Sequence, residues 1–241
     1  MSPVVTLDRV TKSYGELVAL DEVTLAFPRG RFVAVMGPSG SGKSTMLHCA
    51  AALDPPTSGS VLIGEVDVSG LSETRRTQLR RKHMGFVFQS YNLLPAITVE
   101  DNITLPLRLA GVRPDRDWLG ELVDRVGLRG RLRHRPAELS GGQQQRVAIV
   151  RALAARPDVV FADEPTGALD LRSAGQVLDL LRELVDELGQ TVVMVTHDPA
   201  AAARAHDTLV MADGKVIEVL DAPTPEDLAV RLTRLTGEPV A

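Results

Sequence analysis

The chain has 241 residues, enough for one large domain or for a core carrying a smaller subdomain. Hydrophobic residues make up 44% and charged residues 24%, which excludes disorder and fibrous repeats; a net charge of −4 argues against nucleic-acid binding by bulk electrostatics. The single cysteine, Cys49, excludes an internal disulfide and a multi-cysteine metal site, and fits a reducing compartment. Asp8 and Arg9 interrupt the N-terminus before any long apolar run, so no secretory signal is expected. No apolar stretch approaches the ~18 residues that span a bilayer. A soluble intracellular protein is predicted, with any membrane role exercised through a partner.

Short β-rich runs alternate with helical periodicity, which predicts an α/β fold with a largely parallel sheet. Residues 4–10 and 23–27 are expected as strands, with Tyr14 and Gly15 in the connection between them. A third strand over 31–36 runs into a glycine-rich segment, and the apolar stretch 43–53 predicts a buried helix that Asp54-Pro55-Pro56 ends. A basic amphipathic helix over 72–83 precedes a strand over 84–88. Helical patterns dominate 92–156, broken at 111–114 and 127–136, which suggests an inserted subdomain. Strands return at 159–162 and 191–195, on either side of a helix that Asp170 caps and Gly189 stops. A last pair, 208–211 and 215–219, is joined across Asp213-Gly214, a strong hairpin signal. The expected organisation is a single domain over 1–241, with a core at about 1–91 and 157–222, a helical subdomain at about 92–156 and a short polar helix at about 223–241.

Gly37-Pro38-Ser39-Gly40-Ser41-Gly42-Lys43-Ser44-Thr45 fits the phosphate-loop pattern G-x-x-x-x-G-K-[ST], between an apolar strand and a helix start. Glycines let successive backbone N–H groups point at phosphate oxygens, and the helix N-terminus favours the anion. Lys43 can reach the β- and γ-phosphates of a nucleotide, and the Ser44 hydroxyl can ligate Mg2+. The run Val159-Val160-Phe161-Ala162-Asp163-Glu164 is an apolar strand ending in two carboxylates. In a phosphate-loop enzyme Asp163 would help to hold Mg2+ through its water shell, while Glu164 would polarise the attacking water. His197 follows the strand 191–195, where a parallel sheet places its ligand-binding loops; His48, His83, His134 and His206 are expected to be structural or surface residues. Gln89 holds an equivalent strand-end position and could touch Mg2+ or the water. Leu139-Ser140-Gly141-Gly142-Gln143 precedes a helix expected over 144–155 and forms a second anion site. One nucleotide has no need of two cradles in one domain, so the economical explanation is a head-to-tail dimer.

With these motifs in this order, the chain resembles the ATP-binding subunit of an ABC transporter over nearly its whole length, from about Val4 to Val219. Gly37 to Thr45 is similar to that family's Walker A motif, residues 159–164 to its Walker B, Gln89 to its Q-loop and residues 139–143 to its signature sequence. Ala168-Leu169-Asp170 is similar to the D-loop, His197 to the switch histidine and Tyr14 to the aromatic residue that stacks on adenine; no catalytic position departs from the pattern. The resemblance implies a P-loop NTPase core with a mostly parallel sheet, an N-terminal antiparallel β subdomain and an inserted α-helical subdomain. It implies ATP and Mg2+ as ligands, with Glu164 as general base, His197 at the γ-phosphate, Gln89 and Lys43 in the catalytic set, and Ser140 and Gly142 acting across a dimer. It further implies a second ATP-binding subunit, an integral membrane permease whose coupling helix would enter a groove near residues 89–94, and a place on the cytoplasmic face of the inner membrane.

Phe88-Gln89-Ser90-Tyr91-Asn92-Leu93-Leu94-Pro95, Val99-Glu100-Asp101-Asn102 and the stretch 163–170 are similar to the branch of lipoprotein-release, macrolide-export, antimicrobial-peptide-resistance and cell-division ATPases; an amino-acid importer subunit is the alternative. The basic runs 75–82 and 129–135 are expected as solvated helix faces, since the chain is acidic overall, and no nucleic-acid partner is expected. A chromosome-organising ATPase would need long coiled-coil arms, yet only about a hundred residues separate Lys43 from Ser140, without sustained heptads. A two-cassette translation factor would need a second phosphate loop in the chain, and a mere binding module would have no use for both Glu164 and His197.

Overall fold

The computed structural model describes residues 3–236. In chain order its elements begin with strands β1 (Val5–Tyr14), β2 (Leu17–Phe27) and β3 (Phe32–Met36), helix α1 (Lys43–Ala50), and strands β4 (Ser58–Ile63) and β5 (Val66–Asp67). Helix α2 (Glu73–His83), strand β6 (Met84–Phe88) and helices α3 (Val99–Leu109), α4 (Arg116–Arg125) and α5 (Gly141–Leu153) follow. The remainder is β7 (Val159–Asp163), α6 (Leu171–Leu188), β8 (Thr191–Thr196), α7 (Pro199–Ala202), β9 (Asp207–Ala212), β10 (Lys215–Asp221) and α8 (Pro225–Thr236).

Two sheets result. A four-stranded antiparallel sheet has the order β2-β1-β4-β5, and a six-stranded sheet has the order β10-β9-β3-β8-β7-β6. In the larger one β9, β3, β8, β7 and β6 run parallel, and only β10 is antiparallel to its neighbour. Strands β3 and β8 are buried along their whole length, as the near-continuous apolar runs of a doubly covered parallel sheet should be. Alternation along β3 decides which layer each residue joins. Phe32, Ala34 and Met36 pack with α3, α5 and α6 on one face, while Val33 and Val35 pack with α1 and the antiparallel sheet on the other. The parallel register then brings the C-terminal ends of β3, β6, β7 and β8 to one edge, with Met36 opposite Thr196, Asp163 opposite Val195 and Phe88 opposite Asp163.

Local chemistry explains the boundaries. Asp170 caps α6 by accepting the Ser173 N–H at 2.9 Å, and Gly189 ends that helix at φ +66°, as expected. Asp213 and Gly214 both take positive φ (48° and 74°), the backbone of a type I′ hairpin turn between β9 and β10. Cys49 is buried, and that burial pushes its thiol up to about 12.

Several expectations need correction. Tyr14 is the last residue of β1 rather than part of the connection, and β2 begins at Leu17 because the turn is tight at Gly15. The first buried helix ends at Ala50, since Ala52 already takes φ +52°. Strands β4 and β5 were not anticipated; they complete the antiparallel sheet by pairing with β1 and with each other. Helix α2 is basic, but none of its residues is fully buried, so it has no strongly amphipathic face. The helix expected over 144–155 starts earlier, because Ser140 and Gln143 form a capping box that draws both glycines into its first turn. The terminal helix spans Pro225–Thr236, and the rest of the expected 223–241 segment lies partly outside the described residues.

His206 ties β3 to the layer behind it. Its Nδ1 accepts the Phe32 N–H at 3.0 Å, while Nε2 lies 3.0 Å from Asp186. Burial, then the Arg182 charge, lowers its pKa against the opposing pull of Asp186. A folded pKa below the unfolded value means that the unfolded chain takes up the proton first. This contribution is therefore complete above about pH 6.5 and is lost as pH falls from there through the lower folded pKa. Urea midpoints measured between about pH 7.5 and 5 should fall with pH, and His206→Asn, which keeps an acceptor but cannot titrate, should flatten that slope. An unchanged slope would assign the acid sensitivity to other groups.

Candidate active site

The loop 37–42 leaves β3 at the shared strand edge and enters α1. A Cβ on Gly37 would overlap the Met211 carbonyl oxygen, and one on Gly42 would overlap that of Ala19, so backbone must pack directly on backbone at both positions. Gly42 takes φ +95° as the residue preceding α1. The hairpin turn between β9 and β10 braces the loop from below, with the Gly214 N–H donating to the Ser41 carbonyl at 3.1 Å. Lys43 is 8% exposed, and its ammonium folds back to donate to the carbonyls of Gly37 (2.9 Å) and Pro38 (2.8 Å). Burial lowers the Lys43 pKa, while Glu164 and Asp163 pull it the other way. A buried ammonium held by neutral loop carbonyls is a positive charge that can pair with an anion at this loop.

The carboxylates face it. Asp163 ends β7 beside Ser44 in the same pocket, and its pKa is raised chiefly by burial. Glu164 turns away from the strand at φ +45°, a backbone conformation costing roughly 1–3 kcal/mol for a residue other than glycine. The Glu164 N–H donates to the Val195 carbonyl at 3.0 Å, which fixes this bend against β8. His197 then meets it, Nδ1 lying 2.8 Å from Glu164 Oε1. Ser44, Gln89, Asp163 and Glu164 line one open pocket of about 470 Å³, together with Phe88, Ser90 and Asn92. A hydroxyl, an amide carbonyl and a carboxylate form an all-oxygen donor set of the kind that suits Mg2+. Among the described residues no three His, Cys, Asp or Glu side chains cluster to cage a metal.

Other expected residues lie elsewhere. None of Ser140, Gly141, Gly142 and Gln143 lines that pocket. Ser140 is exposed at the start of α5, where its hydroxyl accepts the Gln143 N–H and its N–H donates to Gln143 Oε1 at 3.0 Å. Gly141 sits against the Tyr91 hydroxyl and Leu169, and Gly142 against Ser173, so this segment adjoins Asp170. Tyr14 stands at the end of β1 with its ring about half exposed and its hydroxyl donating to Asp54 at 2.6 Å.

Several residues around the site were not read from the sequence. Arg151 of α5 donates to the carbonyls of Asn92 (2.5 Å) and Tyr91 (2.8 Å), both at positive φ, and so holds the chain just beyond Gln89. Gln145, fully buried, donates to the carbonyls of Pro165 (2.5 Å) and Phe88 (3.4 Å), tying together the exits of β6 and β7. Its Oε1 is an unpartnered buried side-chain atom. For Arg151 the available sequence signal was a charge interrupting the apolar run of α5 from Val147 to Leu153; Gln145, inside the polar stretch 143–146, carried none.

A family model described as ABC transporter matches residues 20–167, more than half of the chain. The lipoprotein-releasing system ATP-binding protein LolD of Legionella pneumophila is 44% identical over 219 residues, which cover 88% of this chain and 96% of that protein. The macrolide export ATP-binding/permease protein MacB of Marinobacter nauticus is 45% identical over 229 residues, covering 92% of this chain but only 35% of MacB. The chain thus spans about a third of the MacB relative and nearly all of LolD. Among solved structures, the ATP-binding cassette MJ0796, a dimer in a post-hydrolysis state bound to ADP and Pi, superposes with a TM-score of 0.80 at 42% identity, covering 91% of this chain and 99% of that one. The cbiO1 protein of Clostridium perfringens, part of the cbiONQ transporter complex, gives a TM-score of 0.84 at 26% identity, covering 95% and 92% of the two chains.

Two loop glycines separate backbone strain from steric exclusion. Gly40 and Gly42 both have positive φ, but a Cβ at position 40 meets open space. Gly42→Ala should cost roughly 2–4 kcal/mol and Gly40→Ala about 1, measured by urea denaturation. Equal losses would show that the Ala19 carbonyl can yield.

Proposed function

The chain belongs to the ABC transporter family as an ATP-binding, ATP-hydrolysing subunit, and on that premise we propose that two copies pair head to tail and drive a separate membrane subunit from the cytoplasmic face of the inner membrane. The work delivered is export, extraction of lipoproteins, lipids, drugs or peptides, or transmission of force. The observation that carries the reading is the convergence of Lys43, Ser44, Gln89, Asp163 and Glu164 on one strand edge, with His197 bonded to Glu164. Among the described residues no helix is long and apolar enough to cross a membrane, so the reading assigns the crossing to a partner. The names of the LolD and MacB relatives support the release and efflux branch.

In this reading the segment 37–45 offers the backbone N–H groups of its residues other than Pro38 to the ATP phosphates, and Lys43 exchanges two loop carbonyls for β- and γ-phosphate oxygens. Tyr14 stacks on adenine. Ser44, Asp163 and Gln89 hold Mg2+, which when bound neutralises charge on the phosphate oxygens. Glu164 orients the attacking water and accepts its proton as general base. A carboxylate can only accept, so His197 donates to Glu164 through Nδ1; its contact with the γ-phosphate, whose oxygens also accept, requires a second N–H at Nε2. Ser140, Gly141, Gly142 and Gln143, absent from the pocket of their own chain, serve the nucleotide of the partner copy, with Asp170 beside them at the seam. The helices between residues 92 and 156 form the unit that meets the permease.

Glu164→Gln should keep ATP affinity and slow hydrolysis about 10²–10⁴-fold, leaving an ATP-bound dimer on size-exclusion chromatography. The same variant, tagged and recovered from native membranes in Mg2+-ATP, should retain an integral membrane protein identifiable by mass spectrometry; recovery of none would overturn the transporter assignment and leave an ATPase. Ser140→Arg should abolish hydrolysis while each chain still binds ATP. Intact turnover in that variant would refute the arrangement across two copies.

A further inference from the structure

We propose that Asp54 and Lys12 are positioning residues that lock the Tyr14 ring into a platform with a single open face for the nucleobase; this rests on the reading of Tyr14 as the adenine-stacking residue. The Tyr14 hydroxyl donates to Asp54 Oδ2 at 2.6 Å. The other carboxylate oxygen, Oδ1, accepts from Lys12 Nζ at 2.5 Å, and the same ammonium donates to the Pro55 carbonyl at 2.8 Å. Each carboxylate oxygen therefore has its own donor. Lys12 is only 9% exposed, a degree of burial that a cation tolerates when it is paired and hydrogen-bonded.

The geometry does more than neutralise a charge. Lys12 and Tyr14 lie two residues apart on β1 and share a face, which brings the ammonium to 5.0 Å from the ring centroid. One face of the ring is thereby occupied, and a base can stack only on the other. Tyr14 belongs to neither apolar cluster and is 48% exposed, so packing does not hold its ring; the hydroxyl tether does. Asp54 is itself firmly placed. It follows α1 with its N–H on the His48 carbonyl (3.2 Å), and the next turn is stitched to β1 by Thr57 N–H to the Thr11 carbonyl (2.8 Å) and Ser13 N–H to Thr57 Oγ1 (3.0 Å). Helix α1, which starts at the phosphate-loop lysine, thus returns to the strand that carries the aromatic ring. The distance and angle between base platform and phosphate cradle are set before any nucleotide arrives.

Equilibrium binding of ATP and of inorganic triphosphate to the full chain tests this, since only ATP reports on the platform. Tyr14→Phe keeps the ring but loses the tether; it should bind ATP about three- to tenfold more weakly, with triphosphate affinity unchanged. Asp54→Ala should show the same selective loss, and Tyr14→Phe/Asp54→Ala no more than either alone. Should Asp54→Ala fail to fold with Lys12 left bare, Tyr14→Phe decides by itself. Wild-type ATP affinity in Tyr14→Phe alongside weakened binding in Tyr14→Ala would overturn the clamp and leave stacking intact. Wild-type affinity in Tyr14→Ala would instead overturn the stacking reading. Equal weakening toward ATP and triphosphate in Tyr14→Phe would reduce the clamp to a structural ion pair.

Discussion

Binding a polyphosphate through backbone N–H groups requires a loop without side chains on its inner surface, and a loop of that kind has no packing of its own to hold it. The rest of this fold supplies the support. Strand β3, itself buried along its whole length inside the larger sheet, delivers the loop, α1 fixes its far end, and the carbonyls of Ala19 and Met211 press against Gly42 and Gly37 where a Cβ would stand. With the loop fixed, the positions of the other groups follow from sheet register. Residues that end β6, β7 and β8 lie beside it because parallel strands all point their C-terminal ends the same way.

The division of labour follows from the same geometry. Groups at the strand edge can be fixed to within a fraction of an ångström by the sheet, and these are the ones assigned to phosphate, metal and water. The start of α5 has a different anchorage. Gly141 lies on the Tyr91 hydroxyl, Arg151 of the same helix holds the carbonyls of Tyr91 and Asn92, and Gln145 reaches the exits of β6 and β7. Helix α5 is thus bonded to the segment just after Gln89 and to the residues just after Glu164. A change in what Gln89 touches has a short, hydrogen-bonded route to the start of α5, the surface proposed above to face a partner copy.

Much of this was legible in the residues themselves. Caps and turns announce themselves locally, as Asp170, Gly189 and Asp213-Gly214 do. Long apolar runs that end in Gly37, Gln89, Asp163 and His197 mark strand ends at a ligand-binding edge. Strands β4 and β5 were obscured because they are short and largely exposed, with Gly59 inside β4, and they gain their identity only by pairing, β4 with β1 and β5 with β4. The start of α5 was misplaced because two glycines resemble a loop, although the Ser140–Gln143 capping box was there to be read. Asp54 and Lys12 could not be linked to Tyr14 from sequence, since their meeting depends on how the end of α1 folds back on β1.

The hairpin beneath the phosphate loop also bears on biosynthesis. Met211 and Gly214 touch Gly37 and Ser41 across a separation of about 170 residues, among the most non-local contacts in the chain. A nascent chain that has exposed its glycine-rich motif still lacks the two strands that shape it. The support of the phosphate loop is therefore completed only by the last two strands to be translated, β9 and β10.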